Sequence, residues 1–384
     1  MAESLPKQRL LSLDLFRGIT IAGMLLVNNA GNWHYVYPPL EHAEWNGLTP
    51  TDLIFPFFLF IVGVAIKLSL DKYYIADGSL PKTIFRIIRR TILIFLVGMV
   101  MTGYPKYDLS HIQIMGVLQR IALCYFFASV IYIAVVKKSE KAMLTTISSI
   151  IGILLIGYYL MMKYIPVPGY GAGLFGSPEA NLEAYLDRLI LGVNHIYPGG
   201  KVYDPEGLLS TLPAIATTLI GILCGWWIKK EKDDKQKLLM MFITGAILMM
   251  AGYYVDQFFF PVNKKIWSSS YVLVTGGMAL QGLALCYWYT DIKHYRFGTT
   301  PFLIFGTNAI AAYFLSSIYA KSTVFVWKFQ YHGELTPLKT IINKAIFEPV
   351  FGDYFSSFMY ALSFVILWIL LTSILYYKKI FIKL

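Results

Sequence analysis

Ten apolar stretches divide the chain almost from end to end, near 13–31, 52–70, 91–104, 112–136, 143–165, 208–228, 238–260, 271–290, 301–320 and 357–377. A helix needs roughly 20 mostly apolar residues to cross a bilayer. The third stretch reaches that length only through the basic turn upstream of it. Backbone groups in lipid must be paired within the protein, so runs of this kind fold as helices. Gly, Pro and charge clusters separate the runs, and no long polar segment marks a second domain. Residues 1–384 therefore read as one all-α, polytopic membrane domain of about ten spans. With 57% of side chains hydrophobic and 14% charged, the chain has about half the charge of a soluble domain. That excludes a disordered chain, a disulfide scaffold and an ordinary cytosolic enzyme.

The net charge of +11 reads as membrane orientation, with no nucleic-acid partner implied, because bases collect on the cytoplasmic side of polytopic proteins. Of the 33 Lys and Arg, 21 fall in the N-terminus, the C-terminus and the connections that alternate with them, against 10 in the other set. Both termini are thus expected in the cytoplasm. The first outer loop, 31–51, has no Lys or Arg. Lys7 and Arg9 before an apolar run resemble a signal peptide, but Asp14 and Arg17 lie too deep in that run for one. Cys124, Cys224 and Cys286 are isolated within spans and read as small core residues.

Polar residues inside spans are costly, about 2.5–3.5 kcal/mol for a central Arg or Asp, and usually face a cavity or one another. Asp14 and Arg17, three apart, share a helix face and can pair. Gln119 and Arg120 fall within the fourth span, Asp256 near the outer end of the seventh and Asn308 inside the ninth. Each alone can be a helix-locking residue; together they predict a polar path through the bundle.

Two loops expected on the outer side hold the remaining chemistry. The first runs from Asn28 to Thr49 and contains Trp33, His34, His42, Glu44, Trp45 and Asn46. The other, 166–207, is rich in Gly and Pro, carries an amphipathic segment at 180–191, and ends Tyr203-Asp204-Pro205-Glu206-Gly207. Long structured loops beside a cavity are where substrate sites lie. Neither H-x-x-H, H-E-x-x-H nor C-x-x-C occurs, so no metal is expected. Gly171, Gly173 and Gly176 do not open a nucleotide-binding unit, and no Ser or Cys nucleophile neighbours His42. A single His with amide and carboxylate neighbours suffices for proton or acyl transfer; the alternative for His42 is a loop hydrogen bond.

The stretch Glu41-His42-Ala43-Glu44-Trp45-Asn46-Gly47-Leu48-Thr49, continuing into Asp52-Leu53-Ile54-Phe55-Pro56, resembles the heparan-α-glucosaminide N-acetyltransferase family, a lysosomal enzyme and its bacterial relatives. The likeness continues collinearly at Ser12–Gly18, Gly116–Arg120, Tyr203–Leu209, Pro261–Ser268 and Tyr377–Lys383. The resemblance implies the ten-helix catalytic core without the lysosomal member's additional luminal segment and first span. It also implies a bacterial inner-membrane enzyme, with the insert between Asn28 and His42 altering the acceptor site.

By that resemblance, acetyl-CoA from the cytosol donates an acetyl group to an amino sugar on the far side of the bilayer. The family's active-site histidine matches His42, as acetyl acceptor or general base, and its asparagine matches Asn28, as oxyanion donor. Arg17, Arg90, Arg120, Lys379 and Lys383 are the candidates for binding the coenzyme, although positive-inside anchoring explains basic residues at the cytoplasmic mouth equally well. Trp45, Asn46, Asp204 and Glu206 are the candidates for binding the sugar; capping of the sixth span is the other reading of the two acids. A homodimer is implied by resemblance alone. The alternatives are an amino-sugar transporter, disfavoured because no internal repeat is visible, and an O-acetyltransferase of an envelope polysaccharide.

Overall fold

A computed structural model describes residues 10–75 and 79–382. Its helices are α1 (Leu11–Val27), α2 (Ile54–Leu70), α3 (Leu80–Gly103), α4 (Val117–Val136), α5 (Glu140–Tyr164), α6 (Leu182–Ile190) and α7 (Thr211–Lys230). These are followed by α8 (Asp234–Phe258), α9 (Ser269–Tyr287), α10 (Thr300–Thr307), α11 (Ala309–Lys321), α12 (Leu338–Ile342), α13 (Glu348–Phe351) and α14 (Asp353–Tyr377). A hairpin of β1 (Lys328–Tyr331) and β2 (Glu334–Pro337) pairs antiparallel, Lys328 opposite Pro337. Eight helical segments among the described residues are long and apolar enough to cross a membrane. α1, at 17 residues, and the basic-flanked α3 fall outside that set, so eight spans stand where about ten were expected; the chain is a polytopic membrane protein.

Polar side chains start several helices. Ser139, Asn181, Asp233 and Ser268 each accept a backbone N–H from the first turn of α5, α6, α8 and α9, satisfying donors that lipid cannot. α7 and α9 are the most enclosed spans, while α5 and α8 turn most of their surface outward. Missing side chains bring backbones together, as membrane helices without a hydrophobic drive between them require. A Cβ on Gly63 would lie 1.9 Å from the Thr218 carbonyl oxygen, and one on Gly221 would lie 2.1 Å from that of Phe60. α2 and α7 therefore meet backbone to backbone. Gly245 and Gly277 do the same for α8 and α9.

Two boundaries depart from the expectation. Residues 112–116 are extended, with Ile114 N–H donating to the His195 carbonyl at 3.0 Å, so α4 begins at Val117. Gln119 and Arg120 stand in its first turn instead of mid-span. The stretch 301–320 is likewise not one helix. Asn308 has φ −128° and ψ 38°, and the chain reverses there. The Cβ vacancy of Gly18 faces the Phe302 carbonyl and that of Gly306 faces the Asp14 carbonyl, so α10 runs antiparallel to α1. The ninth span is Ala309–Val326, and its Lys321 reaches the carbonyls of Met101 and Tyr104 at the end of α3 (2.6 and 3.3 Å). Asn308, expected inside that span, sits at its start and accepts the Ile382 N–H at 3.0 Å. A buried amide competes with the helix for backbone partners, and here it holds the returning tail.

Candidate functional site

His42 lies in the connection between α1 and α2, at the end of the bundle opposite the chain termini. Its loop is shaped by Asp52, whose side chain is 1% exposed. Asp52 Oδ2 accepts the N–H of Ala43 (3.2 Å) and of Thr49 (3.0 Å), forming a capping box at the entrance to α2. Its Oδ1 lies 2.6 Å from His42 Nδ1. The main-chain carbonyl of Asp52 accepts the Tyr271 hydroxyl from α9 at 2.6 Å. The imidazole itself is 41% exposed. A buried carboxylate on Nδ1–H fixes the tautomer that leaves the Nε2 lone pair available.

The connection between α8 and α9 closes over this loop. Asn263, fully buried, accepts the N–H groups of Lys265 (2.7 Å) and Ile266 (3.1 Å) through Oδ1 and donates Nδ2–H to Asn46 Oδ1 at 3.1 Å. Gly47 N–H donates to the Val262 carbonyl at 2.8 Å, and Asp256 accepts the Val262 N–H at 2.6 Å. Lys265 bonds the Glu44 carbonyl. Lys264 places Nζ 3.3 Å from His42 Nε2 and 3.4 Å from Nδ1. Burial pushes the ammonium pKa of Lys264 down, against the raising effect of Glu206 and Asp52. Neither Asp52 nor Lys264 was singled out as functional in the sequence. Asp52 was legible only as part of the motif, and Lys264 is brought to His42 from 222 residues away.

Behind the loop, four carboxylates gather. Asp204 accepts Gln113 Nε2–H (3.1 Å) and the Glu206 N–H (2.9 Å), so it shapes its own turn and leaves the start of α7 uncapped. Burial, then the Glu206 charge, pushes the Asp204 pKa up to about 7. The amphipathic segment at 180–191 is α6, and it turns Glu183 and Asp187 inward. Asp187 accepts Leu208 N–H at 2.8 Å, and burial pushes its pKa up to about 6. Gly207 makes this possible, since a Cβ there would lie 1.9 Å from Asp187 Oδ2. Burial raises the Glu183 pKa well above its ordinary value. Arg120, fully buried, donates to the carbonyls of Pro205 (3.1 Å) and Gly207 (2.9 Å) and to Ser210, with its guanidinium 5.2 Å from the Trp267 ring centre. Its hydrogen bonds thus hold the 205–210 turn at the His42 end.

The other expected residues are placed as follows. Asn28 follows α1 as its exposed C-cap. Trp45 donates its indole N–H to the Phe175 carbonyl (2.7 Å) and meets the Tyr203 ring edge-on at 5.2 Å, so its ring is part of the packing. Arg17 pairs with Asp14 (3.2 Å), as its spacing suggested, and donates to the Gly306 carbonyl at 2.9 Å. Arg90 lies over the Tyr125 ring at 4.8 Å. Lys379 is exposed in the turn after α14, and Lys383 lies outside the described residues. At that same end, Lys67, buried, bonds Asp71 (2.7 Å) and Tyr132 (2.8 Å), and Lys229 bonds Asp71 (2.7 Å). This network clamps α2, α4 and α7 together. An apolar cavity of about 360 Å³ between α1, α9 and α10, lined by Leu15, Ile19 and Phe302, is remote from His42. Among the described residues, no group of three or more His, Cys, Asp or Glu is arranged to hold a metal ion.

Residues 9–168 match a family described as a domain of unknown function, DUF5009. Over 98% of its length the chain is 31% identical to heparan-alpha-glucosaminide N-acetyltransferase of Homo sapiens, and 30% identical to that of Mus musculus. It spans 60% of the length of these curated relatives. With identity at that level along almost every residue it has, the chain is a distant homologue of heparan-alpha-glucosaminide N-acetyltransferase, as its motifs indicated.

Proposed function

We propose that this integral membrane protein is an acetyltransferase that takes acetyl-CoA from the cytoplasmic side and acetylates the amine of a glucosamine-type sugar on the extracytoplasmic side. The observation that carries the reading is the exposed His42 imidazole, backed at 2.6 Å by the buried Asp52 carboxylate, in a chain homologous to an N-acetyltransferase. The excess of basic residues at the opposite end supports the orientation.

Asp52 accepts Nδ1–H, so the Nε2 lone pair is the reactive one. In one route Nε2 attacks the thioester carbonyl, the C–S bond breaks, and the thiolate leaves with a proton from solvent; the sugar amine then takes the acetyl group from the imidazole and loses its own proton. In the other, the amine attacks the thioester directly and its proton passes to Nε2 as the thiolate departs. Asn28, exposed at the end of α1, is the amide donor for the oxyanion, a contact worth about 2.7–4 kcal/mol. Arg17, Arg90, Lys379 and Lys383 are the cations for the coenzyme phosphates. Asn46, Asp204 and Glu206 are assigned to the sugar, and Arg120 holds the turn that carries Asp204 and Glu206 in place.

The test uses proteoliposomes loaded with acetyl-CoA. Adding glucosamine outside should release free CoA inside and yield N-acetylglucosamine. Labelled glucosamine accumulating unmodified would instead make the protein a transporter. Acetyl-imidazole trapped at His42 with acetyl-CoA alone would select the first route.

A further inference from the structure

The ammonium of Lys264 has an unusual companion. Among the described residues no carboxylate lies within 4 Å of it, and its nearest polar neighbours are the two ring nitrogens of His42: Nε2 at 3.3 Å, which can accept from it, and Nδ1 at 3.4 Å, whose N–H is given to Asp52. Nearly equal distances to both nitrogens place the charge against the ring as a whole. The placement is enforced from both sides. Asn263 pins the backbone around Lys264, Trp267 N–H donates to the Lys264 carbonyl at 3.1 Å, and Lys265 is anchored on Glu44.

The charged groups in contact with His42 are Asp52 from the start of α2 and Lys264 from the α8–α9 connection, while Lys265 acts on Asp52 and on Glu44 of the His42 loop. Glu206 and Arg120 act on Lys264 from behind. Asp52 alone would favour a second proton on the imidazole, since a carboxylate stabilises imidazolium. A protonated ring can neither attack a thioester nor accept a proton. A cation at this distance opposes that protonation.

We propose that Lys264 is a positioning residue for acetyl transfer: its ammonium offsets Asp52, so that Asp52 orients the His42 ring while Nε2 stays unprotonated. The assignment rests on His42 being the group that performs the transfer.

The experiment is an NMR titration of ¹³C-labelled histidine in nanodisc-embedded protein, the His42 signal being identified by its loss in His42→Gln. Lys264→Met should raise the titration midpoint of His42 by about one pH unit or more, whereas Lys264→Arg should leave it within about 0.3. The acid limb of kcat/KM for acetylation should move up with the midpoint in Lys264→Met. Lys264→Gln replaces Lys264→Met if that variant does not fold. An unchanged midpoint in the neutral variant overturns the proposal. A shifted midpoint in a protein that acetylates no amine would keep the coupling of Lys264 to His42 and defeat the functional reading instead.

Discussion

His42 Nδ1 and Asp52 Oδ1 are 2.6 Å apart, one on an exposed ring and the other on a carboxylate almost wholly withdrawn from solvent. The same carboxylate caps two backbone N–H groups of the loop that carries the histidine. Orientation of the ring and folding of its loop are therefore one interaction.

Asp52→Asn can keep an oxygen for both loop N–H groups, which share Oδ2, but turns an N–H₂ toward His42 Nδ1 and removes the charge that orients the ring. Acetylation is expected to fall by roughly 10²–10⁴-fold, the range for losing an effective acid–base group. Initial rates and thermal unfolding in the same detergent check this together, since the cap contacts also contribute about 1–3 kcal/mol.

Arg120→Gln should act on stability. It withdraws the guanidinium from the carbonyls of Pro205 and Gly207, takes from Glu183 the cation acting on it, and leaves Asp187 with Arg188 alone. Charged hydrogen bonds contribute about 1.5–3 kcal/mol each, so a large drop in melting temperature and in yield of folded protein is expected. Equal stability of variant and wild type would contradict the framework role.

The buried acids make stability depend on pH. Asp187 and Asp204 have pKa values pushed up to about 6 and about 7, from an ordinary value of 3.8. Between about pH 4 and pH 7 the folded state therefore holds more protons than the unfolded one. Stability from these groups is full at about pH 4 and lost as pH rises through 6 and 7. The melting temperature should fall by a few degrees over that window, and Asp204→Asn should flatten the slope.

Gly63→Ala tests the contact between α2 and α7. The new methyl would lie 1.9 Å from the Thr218 carbonyl oxygen, so the helices must separate. A loss of about 1–3 kcal/mol is expected, read as a lower melting temperature. Gly152→Ala, which meets nothing within 4 Å, is the control.

Ten apolar runs, and so the membrane class and most helix positions, were legible because hydrocarbon imposes length and polarity on every span independently of its neighbours. The pairing of Asp14 with Arg17 was legible for a similar reason, since three residues on one helix are always neighbours. His42, Asn28 and the loop motif were singled out through a resemblance that extends along 98% of the chain. The reversal at Asn308 was not, because an apolar run looks the same whether it continues or folds back against α1. Nor was the inward turn of Glu183 and Asp187, which depends on Arg120 and Gly207 arriving from other segments. The placing of Lys264 against His42 is of the same kind. Local sequence determined what each segment is, while only packing decided which charges meet, because Coulomb and hydrogen-bond energies depend on distances that no spacing along the chain encodes.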